Sequence, residues 1–214
     1  MYFQTGHLYH IYNQGNNRQP VFFNRDNYLF FLEKIKTHLI PYCDVLAWCL
    51  MPNHFHWMVL VNKLEAEIAY VTPSATWSRT RSRTPSRARS NTTRTDTLQK
   101  SIGILLSSYT RAINKQQKTS GSLFRSETKA ECITCSDSLT PSFINTRNGT
   151  FFLSETPELQ YPQVCFSYIL NNPVATRLVQ RATDWEFSSA RDIVGLRKGT
   201  IINRSVIKEY GLVF

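Results

Sequence analysis

Acidic side chains are scarce in this sequence of 214 residues, and the scarcity sets its charge. Aspartate and glutamate together number 15 against 25 lysines and arginines, which gives a formal net charge of +10. An excess of that size indicates a polyanionic partner, most simply a nucleic acid, rather than a basic protein without such a partner.

Long apolar runs are also missing. No stretch approaches the roughly 18 consecutive apolar residues of a membrane helix, so we expect no membrane span. The first residues, MYFQTGHLYHIYNQG, lack a basic segment followed by an apolar one, so we expect no signal peptide. The five cysteines include one CxxC, Cys132 to Cys135. A zinc site needs two further ligands, and no second CxxC exists, so we expect reduced, incidental thiols in a cytoplasmic protein.

The remaining composition is globular, with 42% hydrophobic and 13% aromatic residues. HLYHIYNQ (7–14) predicts a strand. NRDNYLFFLEKIKTHLI predicts a helix, capped by Asn24 or Asp26 and ended by Pro41. CDVLAWCLM and HFHWMVLV predict two strands joined by a tight turn at Pro52 and Asn53.

Two further helices follow. LQKSIGILLSSYTRAIN has apolar residues at helical spacing, and KQQKTSGSLFRSETKAECI predicts a turn at Gly121 and then an extended segment. YPQVCFSYILNN predicts a helix that ends near Asn172, because Pro173 disfavours helical geometry in the residue before it.

We interpret residues 1–214 as a single domain with two appendages. Residues 72–97 carry six arginines among Ser, Thr and Pro without an apolar period, which predicts a flexible loop. That loop either follows a phosphate backbone or is a solvated linker. Residues from about 180 to 214 predict a C-terminal extension that docks on the domain.

Two histidines interrupt the apolar segment LAWCLMPNHFHWMVLV. In a strand, His54 and His56 lie on one face, whereas Phe55 and Trp57 lie on the other, which should pack on helices. Two neighbouring imidazoles can bind a divalent metal if a third ligand comes from elsewhere. The alternative is a pair of histidines that make ordinary hydrogen bonds.

The surrounding residues favour the metal. MPNHFHWMV resembles the histidine–hydrophobe–histidine motif of single-tyrosine HUH transposases. YHIYNQGNNRQPVFF, LLSSYTRAINKQQKTSGSLF, YILNNPVATRLV and DWEFSSARD resemble, in the same order, further blocks of the REP-associated tyrosine transposases and their insertion-sequence relatives. The resemblance spans nearly the whole chain and thins in the Arg/Ser-rich segment.

This resemblance implies a tyrosine nucleophile on a late helix, four residues before an Asn or Gln that is the third metal ligand. Tyr168 and Asn172 match that spacing, and residues i and i+4 share a helix face. Asn171 remains an alternative ligand, because Pro173 can distort the last turn. Tyr109 is the second candidate nucleophile, but it lies on an apolar stripe that predicts burial.

The two imidazoles and one amide oxygen suit Mg²⁺ or Mn²⁺. Arg18, Lys115 and Lys118 are candidate phosphate contacts, and each is alternatively a solvated surface charge. His10 is a candidate DNA contact or a structural hydrogen-bonding group.

The resemblance implies an α+β fold with a central antiparallel sheet and helices on one face, similar to the ferredoxin or RNA-recognition-like fold of HUH nucleases. It implies a dimer that cleaves and rejoins single-stranded DNA near hairpins through a 5′-phosphotyrosine bond, without a nucleotide cofactor. One rival is a domesticated module that binds single strands without cutting them. Another is a phosphodiesterase that uses metal-activated water.

Overall fold

The computed structural model describes residues 1–73, 89–135, 143–146, 149–152 and 161–214. Most of the Arg/Ser-rich segment, residues 74–88, therefore lies outside the described residues. No helix among the described ranges is long and apolar enough to cross a membrane.

A four-stranded antiparallel sheet forms the centre of the fold, with strand order β2-β3-β1-β6. Its strands are β1 (Leu8–Gln14), β2 (Cys43–Met51), β3 (His54–Val61) and β6 (Lys129–Cys132). β2 and β3 form the hairpin expected around Pro52 and Asn53. The predicted α+β fold with a central antiparallel sheet is confirmed.

Two helices cover one face of this sheet. They are α1 (Arg25–His38) and α2 (Leu98–Gln117). Asn24 is the cap of α1, since its side chain accepts a hydrogen bond from the Asn27 backbone N–H at 3.0 Å. The Phe31 ring of α1 lies 5.4 Å from Phe55 and 5.8 Å from Trp57 on β3. The apolar side of the His-x-His strand therefore packs on helices, as its alternation predicts.

The third helix lies on the opposite face, which differs from the expectation that all helices share one face. α3 (Tyr161–Ala175) packs over β2 and β3 on the side of the two histidines. Its buried residues include Phe166, Ile169 and Leu170, which need an apolar surface and find one on β2.

The same helix continues through Pro173, so the prediction that it ends near Asn172 is wrong. The last turn still forms, because the Thr176 N–H donates to the Asn172 carbonyl at 3.1 Å. Pro173 has no N–H to donate and its ring crowds the carbonyl four residues earlier, but this position lies in the final turn, so the disruption is confined to the end of the helix.

The two ends of the predicted loop are paired with each other as strands of a β-hairpin. β4 (Glu65–Pro73) pairs with β5 (Arg89–Thr97), so residues 72–73 and 89–97 are strand rather than loop. Asn91 to Thr97 contain four threonines, and β-branched side chains favour strands even without an apolar period. A separate pair joins β7 (Phe143–Thr146) to β8 (Gly149–Phe152).

The C-terminal extension docks along β2, the outer strand of the sheet. It contains two short helices, α4 (Ala190–Ile193) and α5 (Arg204–Glu209). The Ser189 N–H donates to the Trp48 carbonyl at 2.9 Å, and the Asn203 N–H donates to the Val45 carbonyl at 2.8 Å. These contacts cover backbone groups that an exposed edge strand would leave unpaired.

Cys132 and Cys135 form a disulfide, contrary to the expectation of reduced thiols. The turn at Ile133 and Thr134 after β6 brings their Cα atoms to 5.6 Å, within the range that a disulfide spans. Cys43, Cys49 and Cys165 are buried free thiols.

Candidate metal and DNA-cleavage site

β3 and the turn before it position the first two site residues. His54 begins the strand and His56 follows two residues later, with ring centroids 5.0 Å apart on the face opposite Phe55. Asn53 in the turn lies beside His54, with its Oδ1 2.6 Å from the ring Nδ1. The turn therefore fixes the orientation of the first imidazole.

α3 brings two more of the predicted site residues to the same place. Asn172 is buried, and its Oδ1 lies 3.2 Å from His54 Nε2. Tyr168, one turn earlier, has its ring centroid 5.4 Å from that of His56. Asn171 is exposed and donates to the Ser167 carbonyl of its own helix, so it is not part of this cluster. One chain thus assembles His54, His56, Asn172 and Tyr168 from segments more than 100 residues apart.

His54 lies between the side-chain amides of Asn53 and Asn172. A neutral imidazole has one N–H and one lone pair. When the Nδ1–H donates to the Asn53 oxygen, the lone pair of Nε2 faces the Asn172 amide. Nε2 and the Asn172 oxygen are then available as two ligands of one cation.

His56 is oriented by a buried hydrogen bond to a third histidine. Its Nδ1 lies 2.9 Å from His10 Nε2, and both rings are buried. These two nitrogens share one proton. Nε2 is therefore the ring nitrogen of His56 that is available to bind a metal. A partner on the second nitrogen is the usual way to fix the tautomer of a metal-ligating histidine.

Burial keeps these imidazoles neutral. Desolvation lowers the pKa of His10 to about 4. Desolvation also lowers the pKa of His54, although the Asn172 amide opposes the change. The pKa of His56 falls well below its ordinary value through desolvation and through its two histidine neighbours. Neutral rings keep the lone pairs that a cation needs.

One ligand separation in this cluster suits a shared divalent cation. Two ligands at about 2.1 Å from an octahedral ion, at right angles, stand about 3 Å apart. Nε2 of His54 and Oδ1 of Asn172 are separated by 3.2 Å. The donor set of imidazole nitrogen and amide oxygen contains no thiolate, unlike that of a structural zinc site.

Tyr168 and Tyr109 have opposite environments. The Tyr168 side chain is 39% exposed at the edge of the cluster. Desolvation is the main cause that raises the pKa of Tyr168, and the Asn172 amide partly offsets it. Tyr109 is fully buried, and its hydroxyl donates to the Val21 carbonyl at 2.7 Å. The expectation that Tyr109 is a packing residue is confirmed by this burial.

The predicted DNA-contact residues divide into two groups. Arg18, Lys115 and Lys118 are exposed. The Asn53 amide donates to the Arg18 carbonyl at 3.2 Å, which places that turn next to His54. His10 is 8% exposed and held by His56, so the hydrogen-bonding alternative describes its position, and its ring has little surface for DNA.

Sequence reasoning missed several groups around the site. Tyr12 faces His56 across the β1–β3 pair, and its hydroxyl donates to Glu131 on β6 at 2.5 Å. The period-2 pattern of β1 would have placed Tyr12 on the same face as His10. Glu131 could not be placed, because nothing in the sequence gives the register of β6. A cavity of about 1120 Å³ between α2 and residues 121–130 is lined by Arg111 and Arg125, which also went unnoticed.

Comparison with known proteins finds similarity in structure but not in sequence. No family model and no curated protein matches the sequence. A solved structure of a REP-associated tyrosine transposase bound to a REP hairpin is similar, with a TM-score of 0.50 and 17% sequence identity. The match covers 96% of this chain and 93% of the other. The two proteins therefore share their fold, as the resemblance of the sequence blocks predicts.

Proposed function

We propose that this protein is a metal-dependent, single-strand-specific DNA transposase that cleaves and rejoins DNA through a covalent bond to Tyr168. The observation that carries the proposal is the convergence of His54, His56 and Asn172 beside the partly exposed ring of Tyr168. The first three side chains offer imidazole nitrogens and an amide oxygen to one cation, and the fourth offers a hydroxyl group.

Each residue has a distinct role in this proposal. His54, His56 and Asn172 would hold Mg²⁺ or Mn²⁺. When bound, the cation would polarise the scissile phosphate and stabilise its charge in the transition state. Asn53 and His10 orient the two imidazoles from behind.

Tyr168 supplies the nucleophile. Its oxygen forms a bond to phosphorus while the bond between phosphorus and the 3′ oxygen breaks. The phenolic proton is lost and the departing oxygen gains one, which leaves a free 3′-OH and a 5′-phosphotyrosine. Attack by another 3′-OH reverses these bonds and rejoins DNA without a nucleotide cofactor.

Three exposed basic residues suit a DNA backbone. Arg18 lies in the turn that contacts Asn53, and Lys115 and Lys118 lie at the end of α2. The loop after α2 contacts the Arg18 turn, since the Asn16 amide donates to the Ser122 carbonyl at 2.8 Å. We assign these three cations to phosphates of a hairpin-bearing single strand. Assembly as a homodimer in the cytoplasm remains a prediction.

Two adjacent asparagines provide the test. The purified protein would be incubated with Mn²⁺ and single-stranded DNA from the flanks of its own gene, and covalent adducts would be resolved on a denaturing gel. Asn172→Ala should abolish the adduct and weaken Mn²⁺ binding. Asn171→Ala removes the same group one residue earlier and should leave both unchanged.

Other outcomes would support the rivals. DNA cleavage without any adduct would indicate a phosphodiesterase that uses metal-activated water. Binding of several hairpin substrates without cleavage would indicate a domesticated binding module. Equal loss in both asparagine variants would contradict the assignment of Asn172 as the ligand.

A further inference from the structure

A second group of metal-ligating side chains lies at the other end of β1. It consists of His7, Cys132 and Cys135, whose ligand atoms lie within 4.8 Å of one another. His7 precedes Tyr12, which faces His56, by five positions, so this group is about 17 Å from the proposed cleavage site at about 3.4 Å per strand residue. None of its members takes part in the proposed cleavage.

The backbone holds this group in place from both sides. Cys132 pairs with Tyr9 in the sheet, and the Ile133 N–H donates to the Leu8 carbonyl at 2.7 Å. The Leu8 N–H in turn donates to Thr134 Oγ1 at 3.0 Å. The turn between the cysteines is therefore fixed against the start of β1.

Thr134 also orients the histidine. Its Oγ1 lies 3.2 Å from His7 Nδ1. A hydroxyl oxygen has two lone pairs, so it can accept from the Leu8 N–H and from an Nδ1–H of His7 together. In that tautomer the lone pair of His7 is on Nε2, and an oxygen partner on the other nitrogen is typical of a ligating histidine.

We propose that, once reduced, Cys132 and Cys135 bind Zn²⁺ together with His7 Nε2, with water as the fourth ligand. A dithiol reductant supplies two electrons and two protons to the disulfide and becomes a disulfide itself. Zn²⁺ then displaces both thiol protons and forms two Zn–S bonds. Thiolates select Zn²⁺, whereas the nitrogen and oxygen site around His54 suits Mg²⁺ or Mn²⁺.

This site would make the edge of the sheet responsive to thiol redox state. Only the dithiol form binds the ion, so oxidation to the disulfide releases it. The ion would tie the end of β6 to the start of β1, and β6 carries Glu131, the partner of Tyr12 beside His56.

Co²⁺ is the probe for the test, because thiolate ligands give it a charge-transfer absorption that nitrogen and oxygen ligands do not. The full chain, reduced with a dithiol and freed of excess reductant, should bind one Co²⁺ with this absorption, and Zn²⁺ should displace it. Cys132→Ser and Cys135→Ser should abolish the absorption. His7→Asn should weaken binding about tenfold or more.

Three controls separate this site from others. The disulfide form should show no such absorption. Cys43→Ala removes a buried thiol far from His7 in sequence and should leave the absorption unchanged, as should His54→Asn. Absence of the absorption in the reduced wild type, or unchanged affinity in His7→Asn, would overturn the proposal.

Discussion

Removal of one hydroxyl group from either of two tyrosines should have opposite consequences. Tyr109→Phe and Tyr168→Phe delete the same atom from the same kind of residue. The first hydroxyl is buried and bonded to the Val21 carbonyl, whereas the second lies on a partly exposed ring beside the histidines. The pair therefore separates a structural tyrosine from a reactive one.

The Tyr109 hydroxyl contributes to stability. Its loss leaves the Val21 carbonyl without this donor, and a buried acceptor left unpaired costs about 1–3 kcal/mol. For a chain of this size, each kcal/mol lowers the melting temperature by about 2–4 °C. We therefore expect Tyr109→Phe to melt about 2–12 °C below the wild type and still form the covalent adduct with DNA.

The Tyr168 hydroxyl should contribute little to stability. Substitutions of exposed groups usually change the free energy of unfolding by less than about 0.5 kcal/mol. Tyr168→Phe should therefore melt within about 2 °C of the wild type, yet form no adduct. Thermal denaturation followed by circular dichroism measures the first quantity, and a denaturing gel with labelled DNA measures the second.

The opposite pattern would refute this reasoning. An adduct that persists in Tyr168→Phe and disappears in Tyr109→Phe would place the chemistry on α2, inside the packed face of the sheet. A melting temperature unchanged by Tyr109→Phe would show that the hydrogen bond to Val21 contributes nothing measurable.

Three further predictions concern the histidines and the C-terminal extension. His10→Asn should weaken Mn²⁺ binding by about 10–100-fold, measured by calorimetry, because His56 loses the partner that fixes its tautomer. In metal-free buffer, the free energy of unfolding in urea should fall by about 2 kcal/mol for His10 alone between pH 7 and pH 5. The unfolded histidine, with its pKa near 6.5, takes up a proton there, whereas burial holds the folded pKa at about 4. His10→Asn should lose that part of the pH dependence. Asp192→Asn should cost about 3 kcal/mol, because buried Asp192 accepts hydrogen bonds from Arg197 and the Gly199 N–H. The matched change Asp184→Asn breaks an exposed pair with Arg181 and should cost much less, which urea denaturation would show.

Strong periodicity made the centre of the fold predictable. β1, α1, the β2–β3 hairpin and α2 each have an apolar pattern of the right period and a clear turn or cap at their ends. The face of β3 that packs on Phe31 followed from alternation alone. The pairing of Tyr168 with Asn172 followed from the i,i+4 spacing, once the resemblance had indicated the late helix.

The other features depended on partners far away in the sequence. β5 has no apolar alternation, and its pairing with β4 defines it as a strand. The continuation of α3 through Pro173 depends on the packing of the helix over β2. The contact between His10 and His56 depends on the register of β1 against β3, since Tyr12 rather than His10 lies directly opposite His56.

The two faces of β3 have different surroundings: one packs against α1, and the other carries the candidate site residues. Phe55 and Trp57 anchor the strand against α1, so the backbone that carries His54 and His56 is held rigidly from behind. The opposite face can then tolerate buried imidazoles, which cost stability wherever their polar atoms lack partners. In the function proposed above, an ion held by His54, His56 and Asn172 would supply such a partner and would lie beside the partly exposed ring of Tyr168.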